Sequence, residues 1–328
     1  YTTLFRSTTM KKLLSLALAL VLVLCVGSMA FAEEEKPLVG ISCPYNPTGW
    51  VAAVQWSAET TAESLGMNYI MKVSESEAEQ ASDLDMMIEQ GCEYIILFPF
   101  NDTLEAAAQR VMDAGVTLLN FDRTLGETQP DYYLAGDNYQ IGVLGAEYIA
   151  EKLGGEGKVV ITTIPSYGAI FDERVQGCRD TLAEKYPNIE VIGEYAADNA
   201  SQEVGLTLMT DILTANEHID GVYSCDDELS TGMLKAIEEQ GRLGEIKVMT
   251  GCGDGQAYFK LMDEYKDKIW LSTQTYAPYM MGDLVRLCQG LIDGETYEQT
   301  TIIPPETLDY TNYADWMERN GVTEDAPF

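Results

Sequence analysis

The chain has 328 residues, and its 53 Asp and Glu against 20 Lys and Arg give a formal net charge of −33 at pH 7. Such a surface repels nucleic acid and anionic lipid, which both need Lys and Arg to neutralise phosphate; most of the acidity reads as a solvated, self-repelling coat. One histidine, His218, and seven cysteines without a C-x-x-C pair speak against a metal site and against a compact disulfide scaffold.

Met10 is the first plausible start, so Tyr1–Thr9 is expected to be an upstream remnant. Lys11 and Lys12 then precede the apolar run Leu13–Leu24, broken only by Ser15, and Ala30-Phe31-Ala32 supplies a small-x-small cleavage site. A membrane anchor needs about 20 apolar residues, and Gly27, Ser28 and the Ala-x-Ala end fit a cleaved secretory signal over residues 1–32 better. Cys25 is a poor lipid-attachment site because Leu24 stands where a small residue is wanted. No bilayer insertion is expected after cleavage, and residues 33–328 suffice for two domains of ordinary size.

From Pro37 onward, short apolar runs alternate with amphipathic stretches. Strands are predicted at Leu38–Cys43, Asn68–Val73, Tyr94–Pro99, Thr117–Phe121, Lys158–Thr163, Glu190–Tyr195, Gly221–Cys225, Lys247–Gly251 and Ile269–Gln274. Helical patterns lie between them, among them Thr103–Ala114, Ile141–Lys152, Asp227–Gln240 and Tyr279–Leu291, and Gly91 and Gly241 are C-terminal glycine stops. Alternating β and α with near-continuous apolar strands predicts an α/β fold of parallel sheets covered on both faces. A second series of βα units begins at Asp137-Asn138, so two similar doubly wound lobes are expected.

Ligands of doubly wound sheets bind outside the carboxyl ends of the strands. There the chain carries Ser42 through Trp50, Asn101-Asp102, Asp122-Arg123, Asp226-Asp227, Asp254-Gly255 and Gln274. Planar Asp, Asn, Gln and Arg groups bind sugar hydroxyls in pairs, and an aromatic ring stacks on the sugar's C–H face. Each position also has a structural use. Asp122, Asp254 and Asp226-Asp227 can cap the helices or turns next along the chain, and Trp50, early in a helix, can be a core residue.

The ordered set of Asn120-Phe121-Asp122-Arg123, Gly136-Asp137-Asn138, Asp226-Asp227-Glu228 and Asp254-Gly255, behind a signal and on a βα alternation, resembles the type I periplasmic sugar-binding proteins of ABC importers. This is the ribose, galactose and galactofuranose group, and Thr48-Gly49-Trp50-Val51-Ala52-Ala53 is most similar to its galactofuranose branch. The resemblance runs from Pro37 to about Tyr310. It implies an N-lobe of 33–136 plus 275–303 and a C-lobe of 137–274 plus 304–328, joined by three crossovers near Gly136-Asp137, Gln274-Thr275 and Ile303-Pro304.

By the same resemblance, Ser42, Asn46, Trp50, Asp122 and Arg123 face a monosaccharide from the N-lobe. Arg174, in Glu173-Arg174-Val175-Gln176-Gly177, faces it from the C-lobe with Asp226, Asp254 and Gln274. Some members carry that arginine two residues earlier, where this chain has Asp172. Asn199 lies where the ribose group has an aromatic residue. Asp226 stands at a position usually held by Asn, and a carboxylate donates no hydrogen bond unless protonated, so the ligand differs in a donor or is positively charged. The implied function is capture of a pentose or hexose, galactofuranose-like by preference, for a permease by a monomeric extracytoplasmic protein without cofactor. A sensory protein presenting a sugar or furanosyl signal has the same chemistry. A repressor core is disfavoured, since a signal stands where a DNA-binding headpiece belongs. A glycoside hydrolase built on Asp122, Asp226 and Asp254 is the enzymatic rival. The sequence offers it no G-x-S-x-G, no phosphate loop and no G-x-G-x-x-G after the first strand.

Overall fold

The computed structural model describes residues 36–47, 49–323 and 326, so the signal segment and Cys25 lie outside the described residues, as does Thr48. Leu38–Phe328 forms one compact unit. Its first half alternates β1 (Val39–Pro44), α1 (Gly49–Ser64), β2 (Tyr69–Ser74), α2 (Glu77–Glu89), β3 (Tyr94–Leu97), α3 (Glu105–Asp113), β4 (Thr117–Phe121) and β5 (Tyr132–Gly136). The second series runs through α4 (Asn138–Leu153), β6 (Gly157–Thr163), α5 (Ala169–Lys185), β7 (Ile189–Ala196), α6 (Gln202–Ala215), β8 (Gly221–Tyr223), α7 (Asp227–Glu239), β9 (Val248–Cys252), α8 (Gln256–Tyr265) and β10 (Trp270–Gln274). It ends in α9 (Met280–Ile292), β11 (Thr300–Ile303), β12 (Thr307–Leu308) and α10 (Tyr313–Asn320).

Two six-stranded sheets result, ordered β11-β5-β4-β3-β1-β2 and β12-β10-β9-β8-β6-β7. The first is parallel throughout, and in the second only β12 pairs antiparallel, with β10. Central strands β1 and β9 are buried along their whole length, whereas the edge strands β2 and β7 are partly exposed. That contrast is the mark of sheets covered on both faces by helices. The chain passes between the sheets after β5, after β10 and after β11. After the second passage α9 lies back on the first lobe, where a Cβ on Gly282 would meet Thr61 of α1 at 2.6 Å.

Helix ends obey local chemistry. Ser76, Asp137, Ser201 and Asp226 each accept a backbone N–H from the first turn of α2, α4, α6 and α7. Gly91 and Gly241 terminate α2 and α7 with φ of +83° and +68°, a region only glycine enters freely. Three strands were not expected from the sequence: β5, which comes after a loop and ends in Ala135-Gly136, and the short β11 and β12. The helix expected over Thr103–Ala114 opens instead as a 3₁₀ turn at Asp102–Leu104, where Asn101 accepts the Thr103 N–H. Cys43, Cys92, Cys178, Cys225, Cys252 and Cys288 are buried free thiols. Among the described residues no helix is long and apolar enough to cross a membrane, and no cluster of His, Cys, Asp or Glu has metal-holding geometry.

In the second lobe, helices pack through paired glycines. A Cβ on Gly142 of α4 would lie 2.0 Å from the Arg174 carbonyl, and one on Gly177 of α5 would lie 2.1 Å from the Tyr139 carbonyl. Gly205 of α6 and Gly232 of α7 repeat the arrangement against the Leu229 and Gln202 carbonyls, at 2.2 and 1.9 Å. Backbone cannot step aside as a side chain can, so Gly142→Ala or Gly177→Ala is expected to cost about 1–3 kcal/mol, the usual cost of overpacking, read as a lowered urea midpoint.

A second constraint is Asp227, 7% exposed, which joins α7 to the loop after β9 and to β10. Its Oδ2 accepts from Gly255 N at 3.1 Å and Thr273 Oγ1 at 3.0 Å, and its Oδ1 is buried without a donor. Burial pushes this carboxyl up to about 8, against the pull of the Gly255 N–H. A carboxyl so raised stabilises the fold while protonated; that contribution is complete below about pH 4 and is lost as pH climbs from there through about 8. Asp227→Asn should therefore melt with wild type near pH 4 and above it near pH 9, a crossing that thermal unfolding at the two pH values reads.

Candidate interlobe site

The carboxyl ends of β4, β9 and β10 bring residues of both lobes onto one side chain, Tyr276, two residues beyond β10 in the second crossover. Tyr276 is 4% exposed. Its hydroxyl donates a very short hydrogen bond to Asp122 Oδ1 after β4 of the first lobe. Its backbone N–H donates to Asp254 Oδ1, after β9 of the second lobe, at 3.1 Å. Its carbonyl accepts from the Trp50 indole Nε1 at 2.6 Å, and the two rings lie 5.5 Å apart. The Arg174 guanidinium stands 4.6 Å from its ring centroid, a cation–π distance. The ring fits because residue 136 is glycine: a Cβ there would come within 2.3 Å of Tyr276 Cε2.

Both aspartates are held in backbone conformations that L-residues avoid. Among the described residues Asp122 (φ 64°) and Asp254 (φ 49°) are the non-glycine positions of positive φ. Asn120 fixes the first by donating to the Arg123 carbonyl at 2.7 Å, and Tyr133 by donating to the Asp122 carbonyl at 2.6 Å. Such local strain, of order 1–3 kcal/mol per residue, persists where the surroundings over-determine it and clusters at functional sites. Neither aspartate caps a helix, which corrects the capping alternative for these two. That alternative does describe Asp226, whose Oδ1 accepts from Leu229 N at 2.9 Å at the start of α7.

The remaining expected positions separate. Trp50 stacks on Phe121 at 6.1 Å and 13° and meets Phe98 edge-on, so it is at once core and cleft residue. Arg174, 4% exposed, donates from Nε to Asn138 Oδ1 at 2.9 Å and from Nη1 to the Cys225 carbonyl at 3.0 Å. Arg123 is spent on structure. Its Nη1 donates to the Pro99 and Phe100 carbonyls, its guanidinium lies over Phe98 at 4.9 Å, and its Nε is 4.0 Å from Asp122 Oδ2. Ser42 is fully buried inside β1, where its hydroxyl accepts from Gln80 Nε2 at 3.0 Å; the same Gln80 binds the Phe98 carbonyl and Phe100 N–H. Gln274 turns its Oε1 to α4, 3.4 Å from the position of a Cβ on Gly145. Asn46 and Asn199 are exposed, and Asn199 Oδ1 accepts from Ser201 N at 2.8 Å ahead of α6.

Sequence reasoning missed Tyr276 and Asn138. The strand-end rule stops at Gln274, and the signal for Tyr276 lay one step further, in an aromatic residue placed at a crossover between sheets. Across the same cleft, the N-terminus of α1 meets the first turn of α7: a Cβ on Gly49 would lie 3.1 Å from Glu228 Oε1. An acid facing a helix N-terminus favours that approach.

Electrostatically the site is an excess of buried acid. Burial raises the carboxyls of Asp122 and Asp254, and that of Asp226 to about 6; Arg123, the Tyr276 hydroxyl and Arg174 pull Asp122 back down. Among the described residues no ion pair joins Arg174 to a carboxylate. Asp254 Oδ2 and Gln274 Oε1 are buried without a donor. The first is an acceptor of the interlobe site that costs about 1–3 kcal/mol while unpaired and can receive a hydrogen-bond donor; the second faces α4.

Residues 39–296 match the family model described as periplasmic binding protein domain. The chain is 25% identical over 309 residues to the ribose import binding protein of Bacillus subtilis, covering 90% of this chain and 98% of the relative. Among solved structures, a periplasmic solute-binding protein from Actinobacillus succinogenes 130z with bound D-allose superposes with a TM-score of 0.76 at 23% identity, over 85% of this chain and all of that one. A solute-binding protein from Bacillus halodurans C-125 with bound myo-inositol gives 0.77 at 21% identity, over 88% and 100%. The family match spans most of the chain, and the fold is that of these solute-binding proteins: the chain belongs to the periplasmic binding protein family.

Proposed function

We propose that the protein captures a monosaccharide or polyol between its lobes, outside the cytoplasmic membrane, and delivers it to the permease of an ABC importer. The observation that carries this reading is the convergence of Asp122 and Asp254, strand-end acceptors from opposite lobes, on one buried point flanked by Trp50 and Arg174. A polyhydroxylated ring offers the donors that Asp254 Oδ2 lacks, an edge for the Arg174 fork and a C–H face for an aromatic ring. The relatives' names point the same way, to ribose, allose and inositol. A rigid constellation of this kind rejects the wrong epimer, which leaves a buried polar group unpaired.

The lobes divide at 136/137, 274/275 and 303/304. Hinge motion about these crossovers opens the cleft, and ligand favours the closed form because only closure lets both lobes touch it. The closed form then docks as a monomer on the permease, oriented by its acidic surface. Removal of residues 1–32 on export fits this location. Binding rather than hydrolysis is supported by the fixed posts of the carboxylates: Asp226 is held by its helix cap, while Asp122 and Asp254 are held by Tyr276.

A thermal-shift panel of D-ribose, D-allose, D-galactose, L-arabinose, myo-inositol and xylitol tests the reading. A true ligand at a hundredfold excess over Kd stabilises the fold by about 2.7 kcal/mol, and no shift from any polyol or sugar overturns it. Asp122→Asn keeps a residue tolerant of φ near +60° and an acceptor for Tyr276, but removes the charge. Its affinity for the best sugar, by calorimetry, should fall about tenfold or more while the unliganded melting temperature stays near that of wild type.

A further inference from the structure

The turn that carries Asp254 is held from two other elements of the second lobe. Three successive N–H groups are bound there: Gly253 donates to the Gln274 carbonyl at 3.2 Å, Asp254 to Thr273 Oγ1 at 3.2 Å, and Gly255 to Asp227 Oδ2 at 3.1 Å. Thr273 Oγ1 donates in turn to the same Asp227 Oδ2 at 3.0 Å, so hydroxyl and carboxyl form one relay between β10, α7 and the turn after β9. Asp227, Asp254 and Thr273 are all buried. Gly251 in β9 makes the relay possible, since a Cβ there would lie 2.2 Å from Asp227 Oδ1. The residue enclosed by these bonds is Asp254, at φ 49°, a conformation that an L-residue keeps only where its surroundings fix it. Its side chain then places Oδ1 on the Tyr276 N–H at 3.1 Å and leaves Oδ2 buried without a donor.

We propose that Asp227 and Thr273 are positioning residues for Asp254: by binding the N–H groups on either side of the Asp254 Cα they fix its backbone, and so aim its carboxyl into the interlobe site and set the affinity for ligand. Helix capping does not account for the arrangement, because Asp226, not Asp227, caps α7. Core packing does not account for it either. An apolar residue at 227 would strand no buried oxygen, whereas Asp227 leaves Oδ1 without a donor, but it would release the Gly255 N–H and the Thr273 hydroxyl from Oδ2. Every member of the relay lies in the second lobe, so the aim of Asp254 holds whatever the position of the first. A ligand donor must then come to Oδ2, because the turn is not free to move toward it, and such preorganisation favours affinity and selectivity together. The effect on affinity rests on the reading of Asp254 as a ligand acceptor; the positioning itself does not.

The test compares Thr273→Val, which keeps the shape and removes the hydroxyl, with Thr273→Ser, which restores it, each checked for native near-ultraviolet circular dichroism. Gly251→Ala is a second route should Thr273→Val fail to fold, since it crowds Asp227 without removing any hydrogen-bonding group. Amide hydrogen exchange at Tyr276, read by nuclear magnetic resonance, reports the aim of Asp254. Exchange there should quicken about tenfold in Thr273→Val and Gly251→Ala and keep the wild-type rate in Thr273→Ser. Thr275, whose N–H donates to the Glu306 carbonyl at 2.9 Å, should stay protected in all three. A Tyr276 amide as slow in Thr273→Val as in wild type overturns the proposal. So does an equal loss in Thr273→Ser, or an equal quickening at Thr275, which marks a general loosening. Calorimetric titration with the sugar giving the largest thermal shift is the second readout. The Kd for Thr273→Val should rise about tenfold, the loss of one well-placed hydrogen bond to a carboxyl, and that for Thr273→Ser should match wild type. Unchanged affinity beside quickened Tyr276 exchange overturns the link to binding. Should no panel member bind any of the proteins, the binding function fails while the exchange comparison still decides the positioning.

Discussion

Two parallel sheets that point their carboxyl ends at one another leave a polar problem where they meet, and the hydrogen bonds of Tyr276 to Asp122 and Asp254 are how this chain solves it. A parallel sheet collects loop residues at its carboxyl end because every strand there turns into a helix. When two such ends are pressed together, acidic side chains that served as surface groups become buried. Burial raises the carboxyls of Asp122, Asp226, Asp227 and Asp254. The rest of the interface is organised around lowering that cost: a helix N-terminus under Asp226, two donors on Asp227, and Tyr276 on the remaining pair.

The same constraint explains why Arg174 is not simply a counter-ion. Its guanidinium is tied to Asn138 and to the Cys225 carbonyl, and faces the rings of Phe171 and Tyr276 at 4.8 and 4.6 Å. Fixed in this way it pulls down the carboxyls of Asp122, Asp226 and Asp227 at a distance, without pairing directly with any of them. Its position is itself set by backbone packing, since the Arg174 carbonyl is the atom that Gly142 approaches and also accepts the Tyr223 hydroxyl at 3.1 Å. Helix contact, buried tyrosine and site arginine are thus one unit, and an error in the glycine pair reaches the site.

The architecture was legible in the sequence because the long apolar strands and their spacing carry it. All nine strands read from Leu38 to Gln274 lie in the two sheets, and Gly91 and Gly241 end their helices as read. What escaped was short or non-local. β11 and β12 exist because the chain returns to each sheet for a few residues, and four or two residues hold too little periodicity to announce a strand. At the site, Asp122, Asp254, Trp50 and Arg174 were reachable from the strand-end rule and the family resemblance. Ser42, Arg123 and Gln274 were read with them, yet their side chains are drawn to Gln80, to the Pro99–Phe100 carbonyls and toward Gly145, partners that local sequence does not reveal.

Charge decides what kind of ligand the interface accepts. Asp226 stands where an amide is usual in the resembled family, yet its carboxylate is occupied by the Leu229 N–H at the head of α7, so the substitution is answered first by helix capping. An acceptor left without a donor lies instead on Asp254, whose Oδ2 is buried next to the atom that binds Tyr276. A neutral sugar satisfies it with a hydroxyl, and a protonated carboxyl there satisfies a ligand acceptor with its own O–H. With burial holding Asp254 well above the ordinary carboxylate range, the site is able to act as donor or acceptor at that atom without needing a cation. The excess of acid at this interface is therefore compatible with an uncharged ligand, since burial favours the neutral form of these carboxyls.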